Sequence, residues 1–226
     1  MNIRLHYTEK GCGEPLILLH GNGEDSSYFV HQIAYFSKFY RVIAVDTRGH
    51  GQSPRGEAPF TIRQFAEDLH SLMDTLNIEK AHLLGFSDGG NIALVFALSH
   101  PERVEKLILN GANLDAKGVK PTVQLPIEIG YRIASLFAKK SPEAKKNAEM
   151  LGLMVNDPNL RPEQLAKITA KTLVIAGTKD MIRTDHTKLI ARSIPGAQLA
   201  IIEGDHFIAN KCPEAFNKTV HAFLAE

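Results

Sequence analysis

Apolar positions along this chain follow two periods. Residues 2–8 alternate, with Ile3, Leu5 and Tyr7 on one side and Asn2, Arg4, His6 and Thr8 on the other. A period of two marks a half-buried strand, here one pairing near a sheet edge. Short unbroken apolar runs follow: LILL at 16–19, VIAV at 42–45, AHLL at 81–84, LIL at 107–109, LVIA at 173–176 and LAII at 199–202. Such runs suit strands buried on both faces, hence a mostly parallel sheet.

Helical spacing fills the gaps. Over residues 61–77, Ile62, Phe65, Ala66, Leu69, Leu72, Met73 and Leu76 recur at steps of three and one, which is one apolar helix face. Thr61 followed by Gln64 predicts a capping box, and Asn77 a stop. Phe216, Val220, Phe223 and Leu224 after Pro213 predict a C-terminal helix against the sheet. Strands alternating with helices imply a doubly wound α/β domain.

The alternation fails over residues 111–170, where no buried-strand run occurs but helical stretches do, around Ile127 to Phe137 and Glu143 to Met154. Residues 1–110 and 171–226 therefore read as an α/β core and 111–170 as a helical insertion. Lys139, Lys140, Lys145 and Lys146, with Glu143 and Glu149 interspersed, read as a solvated helix face rather than an anion site.

Composition narrows the function. A chain of 226 residues suits one large domain. A formal net charge of +1, with 44% hydrophobic and 23% charged residues, leaves no basic field for nucleic acid. The opening MNIRLHYTEK lacks the apolar core of a signal peptide, and no window approaches the roughly 18 apolar residues of a membrane span. The expected compartment is cytoplasmic, with no membrane partner. Cys12 and Cys212 stand at opposite ends without metal-ligand spacing and read as free thiols, with no metal expected.

Candidate chemistry centres on HLLGFSDGGNIAL, residues 82–94, which sets Ser87 beside Asp88. A serine at the tip of a tight strand-to-helix turn has strained dihedrals and crowds positions −2 and +2, so small residues are needed there. Ser87 has Gly85 and Gly89 at those positions, whereas a nucleophilic Asp88 would have Phe86 at −2. Ser87 is the better nucleophile. Its hydroxyl needs a base, itself oriented by a carboxylate. LVIAGTKDMI places Asp180 just past one strand and LAIIEGDHFIA places His206 just past the next, at the strand ends where such sheets open to ligands. Asp180 is preferred as the acid over Asp205, Glu203 and Asp115. Two backbone donors are expected for the oxyanion: the N–H of Asp88, and that of Asn22, or less favourably Gly23, in the HGNG turn at 20–23.

Taken in order, LILLHGNG, DTRGHGQS, GFSDGG, AGTKDMI and EGDHFIA resemble the α/β-hydrolase superfamily of serine hydrolases across nearly the whole chain. The resemblance implies an α/β-hydrolase fold, a mostly parallel sheet flanked by helices with a short helical cap at 111–170. It also implies a Ser87, Asp180, His206 triad acting on a small-molecule acyl substrate without a cofactor, and loops held by His20, Arg48 and His50. Relatives with an aspartate nucleophile open epoxides or cleave carbon–halogen bonds, and Ser87 at the elbow disfavours both chemistries.

A serine hydrolase of carboxylic esters or related acyl compounds, working through an acyl-enzyme, is the function expected. The alternatives are carbon–carbon bond hydrolysis, thioester cleavage or a lyase step at the same triad, and a non-enzymatic ligand-binding or signalling protein on this fold. The Asp88 side chain has two readings, a carboxylate favoured by the first turn of its helix or a group that meets a substrate cation. The Ser-Asp-Gly-Gly run is similar to that of valacyclovir-hydrolase-like amino-acid esterases, which implies the second.

Overall fold

Each apolar run forms a strand in the computed structural model, which describes residues 3–226. Seven strands, β1 (Tyr7–Lys10), β2 (Pro15–Leu19), β3 (Arg41–Val45), β4 (Ala81–Phe86), β5 (Val104–Asn110), β6 (Lys171–Gly177) and β7 (Gln198–Ile202), make one sheet in the order β1-β3-β2-β4-β5-β6-β7. Among the described strands only β1 is antiparallel, pairing Tyr7 with Val45 and Lys10 with Val42. Among the described residues eight α-helices accompany them: α1 (Val30–Phe36), α2 (Ile62–Thr75), α3 (Asp88–Ser99), α4 (Pro121–Phe137), α5 (Pro142–Asn156), α6 (Thr184–Ser193), α7 (Ile208–Lys211) and α8 (Pro213–Leu224).

Successive strand side chains point to opposite faces, so the sheet feeds two cores. Ile17, Leu19, Ile43, Leu83 and Val174 pack with α2, α3 and α6 through Phe65, Leu69, Phe96 and Ile190. Leu16, Leu18, Val42, Leu84 and Ile175 pack with Phe36 of α1 and Phe216, Val220 and Phe223 of α8. Each fully buried side chain of this size contributes about 1.5–3 kcal/mol.

Three expectations change in detail. The N-terminal alternation holds, since Ile3, Leu5 and Tyr7 all meet the first core. Its paired strand, however, starts only at Tyr7, and Asn2 lies outside the described residues. β7 is not buried on both faces: as an edge strand it leaves Leu199 and Ile201 exposed at 40% and 44%. The α2 cap is half a capping box. Thr61 Oγ1 accepts from Gln64 N at 3.2 Å, while Gln64 Nε2 turns away to Asp68 Oδ1. Asn77 ends that segment at φ 52°, a left-handed residue no helix continues through.

Between β5 and β6 the chain forms α4 and α5, both beginning earlier than the apolar spacing suggests because prolines 121 and 142 occupy their first turns. Lys139, Lys140, Lys145 and Lys146 are exposed, as expected, while Glu149 pairs with Arg55 at 2.7 Å.

Because β2 to β7 run parallel, the loops leaving their carboxyl ends gather at one edge. The loop after β3 is anchored by Arg48, 1% exposed, whose Nε and Nη2 donate to Asp68 of α2 at 2.7 and 2.6 Å while Nη1 donates to Arg55 O at 2.9 Å. A buried guanidinium that loses its carboxylate is an uncompensated charge. Asp68→Ala should lower unfolding free energy by about 3–5 kcal/mol in urea titrations, and a loss under about 1 kcal/mol would contradict the anchoring role.

Candidate active site

β4 delivers Ser87 to the turn before α3 at φ 53° and ψ −120°, a strained backbone for a residue with a Cβ. Ser87 N donates to Asn110 O at 2.8 Å, tying the turn to the end of β5. The glycine spacing has the expected cause. A Cβ on Gly85 would lie 2.2 Å from Gly89 O, and one on Gly89 would lie 1.9 Å from Leu19 O. Ala93, Val95 and Phe96 on the helix that follows are all buried.

His206 follows β7 and Asp180 follows β6, both buried, with His206 Nδ1 and Asp180 Oδ1 at 2.7 Å. Asp180 is itself fixed, since Oδ1 accepts from Ile182 N at 2.9 Å and Oδ2 from Gly177 N at 3.4 Å. A carboxylate on Nδ1 keeps the proton there and leaves Nε2 with its lone pair. That nitrogen is buried and has no hydrogen-bond partner among the described residues, the Ser87 hydroxyl included. Phe86 packs against the ring at 4.8 Å between centroids.

The rival acids are engaged elsewhere. Asp115 accepts from Lys117 N and Gly118 N as a turn cap. Asp205 accepts from Phe207 N and bonds Lys211, and Glu203 is exposed.

In the HGNG turn, Asn22 sends its side chain to Met150 O of α5 at 2.7 Å. His20 accepts from Thr47 N at Nε2 (3.0 Å), so Nδ1 carries the proton and donates to Gly21 O at 2.7 Å. Burial pushes this imidazole down to about 4, so it stays neutral. His50 donates from Nδ1 to Arg48 O at 3.0 Å. His20, Arg48 and His50 all brace loops. As the first residue of α3, Asp88 has an N–H with no carbonyl one turn back to accept it.

The Asp88 carboxyl is buried. Oδ1 accepts from Asn91 Nδ2 at 3.1 Å, and Oδ2 has no partner among the described residues. Burial pushes it up to about 6, against the pull of the nearby Asn22 and Asn91 amides. Asn91 continues the network to Asn113, whose N–H it accepts at 2.9 Å. Burial also raises Asp157 at the end of α5.

Two features carry no signal in sequence. Gly111, at φ 63°, leaves room for the His206 ring, since a Cβ there would lie 2.6 Å from Cε1. Glu24 is a partly buried acid beside the site, pushed by desolvation up to about 7. Among the described residues, no cluster of histidine, cysteine or acidic side chains could hold a metal ion, and no helix is long and apolar enough to cross a membrane.

The family model described as alpha/beta hydrolase fold matches residues 14–136. The chain is similar to the 2-hydroxy-6-oxononadienedioate/2-hydroxy-6-oxononatrienedioate hydrolase of Paraburkholderia phymatum, 33% identical over 85% of this chain and 65% of that protein. It is 31% identical to the 2-hydroxy-6-oxo-6-phenylhexa-2,4-dienoate hydrolase of Burkholderia cepacia, over 99% of this chain and 92% of the relative. The solved enol-lactonase of Burkholderia xenovorans LB400 superposes with a TM-score of 0.80 at 28% identity, covering 99% of this chain and 97% of that one. With strand order, elbow and relatives in agreement, the chain belongs to the α/β-hydrolase fold family and is a hydrolase of its serine type.

Proposed function

We propose that this chain cleaves a small carboxylic ester or related acyl compound through an acyl-enzyme on Ser87. One observation carries the reading: a strained serine at the β4–α3 turn shares the sheet's ligand-binding edge with an imidazole whose Nδ1 is held by a buried carboxylate at 2.7 Å. Ser87 Oγ attacks the carbonyl carbon while His206 Nε2 takes its proton. Asp180 stays ionised and stabilises the imidazolium. The N–H groups of Asn22 and Asp88 receive the oxyanion, each such donor being worth about 3–4 kcal/mol in the transition state. Collapse expels the leaving group with the proton from His206. Water then attacks the acyl-enzyme while His206 accepts its proton, and the acid leaves as His206 returns that proton to Ser87 Oγ.

Residues 111–170 serve as the cap. The contact of Asn22 with Met150 and the ion pair of Arg55 with Glu149 support this, because both join α5 to loops at the site. The free thiols Cys12 and Cys212 fit a cytoplasmic enzyme.

Asp88 selects the acyl group. Its buried Oδ2 has no hydrogen-bond partner among the described residues, the Asn22 side-chain amide is close to the carboxyl, and Asp157 adds a second acid in the same field. A substrate carboxylate here would meet like charge, whereas an α-ammonium group would meet its complement. Carbon–carbon bond hydrolysis at the same triad is the second reading, favoured by the relatives named for 2-hydroxy-6-oxo-dienoate substrates. A panel of neutral esters, α-amino esters and 6-oxo-dienoates separates the two.

A fluorophosphonate probe should label the native chain and not Ser87→Ala; equal labelling of both sinks the proposal. Asp180→Asn should lower kcat by about a thousandfold or more, with KM little changed, in steady-state ester hydrolysis. For Asp88→Asn, kcat/KM toward α-amino esters should fall about tenfold or more while neutral esters change under about twofold. Parallel loss on both classes would make Asp88 a structural residue.

A further inference from the structure

Glu24 does nothing in the mechanism above, yet it sits against the oxyanion turn. Its N–H donates to Gly21 O at 3.3 Å and its Oε2 accepts from Gly21 N at 3.2 Å, so one residue closes the turn through main chain and side chain together. Because His20 Nδ1 holds the same carbonyl from the other side, the peptide groups of Gly21 are fixed at both ends. The carboxylate also packs close to the wall of the site: a Cβ on Gly21 would lie 3.1 Å from Glu24 Oε2 and 3.0 Å from Phe86 Cε1.

That wall is aromatic. Tyr28 stacks on Phe86 at 4.4 Å with rings 5° from parallel, and its buried hydroxyl has no partner among the described residues. The charged and titratable groups facing Glu24 are His206, Asp25 and Tyr28, with Asp180 and Asp205 beyond the tyrosine. Of these, only His206 becomes cationic during the proposed reaction.

We infer that Glu24 is a positioning residue whose ionisation tightens the Gly21–Gly23 turn and so aligns the Asn22 N–H with the oxyanion. The inference rests on the serine-hydrolase reading. A carboxylate accepts a shorter and stronger bond from an amide than a neutral carboxyl does, so the ionised form holds Gly21 N–H more firmly. The same negative charge stabilises the His206 imidazolium formed in the transition state. Desolvation lifts the carboxyl to about 7, which puts the change between the two forms in the neutral range. The enzyme therefore gains rate as pH rises through that value.

The test is the second-order rate of fluorophosphonate labelling at Ser87 in native chain and Glu24→Gln, across pH from about 5.5 to about 9. Glutamine keeps an oxygen for Gly21 N–H but never ionises. Both proteins should label equally at the acid end, with native chain about three- to tenfold faster at the alkaline end, the ratio turning over near 7. A ratio independent of pH is what a purely structural role gives, and it overturns the proposal. If the variant fails to fold, the Gly21 amide resonance of native chain decides: it should titrate with the Glu24 carboxyl carbon near 7. A midpoint in the ordinary carboxylate range, or a Gly21 amide that does not move, overturns it equally. If the probe labels neither protein, the serine-hydrolase reading fails, and the Gly21 titration still decides the question of Glu24.

Discussion

At the β4–α3 turn the backbone of one element passes within contact distance of another, with no room for a side chain between them. A Cβ on Gly89 would fall 1.9 Å from Leu19 O, and one on Gly85 would fall 2.2 Å from Gly89 O. The start of α3 is thereby pressed against the ends of β2 and β4. Ser87 takes up the remaining turn at φ 53° and ψ −120°, at a cost of about 1–3 kcal/mol. Burial of α3 offsets this: every residue from Asp88 to Ala97 is buried, so the helix cannot slide outward to relax the turn. The strain that presents Ser87 is held in place by the core.

The same economy of space governs the histidine. Gly111 stands where β5 ends, at φ 63°, and its missing side chain is the gap that His206 fills. Asp180 reaches the ring from the adjacent strand and is fixed by two backbone donors of its own segment. Gly177 lets the loop after β7 approach, since a Cβ there would lie 2.2 Å from Asp205 O. Three loops thus converge on one imidazole because glycines sit at their strand ends.

Local pattern made much of this legible. The buried runs, the α2 stripe and the spacing around Ser87 are statements about neighbours in sequence, and physical chemistry fixes their outcome nearly alone. The order Ser87, Asp180, His206 was readable because parallel strands deliver their carboxyl-end loops to one edge. Contacts that exist only after folding were not. Gly111 looks like any turn glycine until His206 is beside it, and Glu24 looks like a loop acid until it closes on the Gly21 N–H next to Phe86. The LAII run reads as a central strand because apolar content does not report position in a sheet; at the edge, Leu199 and Ile201 stay exposed. The Gln64 side chain bonds Asp68, the carboxylate that also binds Arg48, in place of the capping-box bond to the Thr61 N–H.

Enclosing acids in this way has a thermodynamic consequence opposite to that of an ordinary salt-bridged carboxylate. Burial raises Asp88 to about 6 and Glu24 to about 7, above the values the same groups have in an unfolded chain. At these two groups the folded state therefore binds more protons than the unfolded one between about pH 4 and pH 7, and their contribution to stability falls as pH rises across that interval. Above it the loss is complete and constant; below the unfolded values it is absent. The pH range in which the proposed chemistry gains from an ionised Glu24 is the range in which these two groups destabilise the fold most. Function is set against stability at the same residues, with Asp88 held by the buried α3 and Glu24 by its bonds to Gly21.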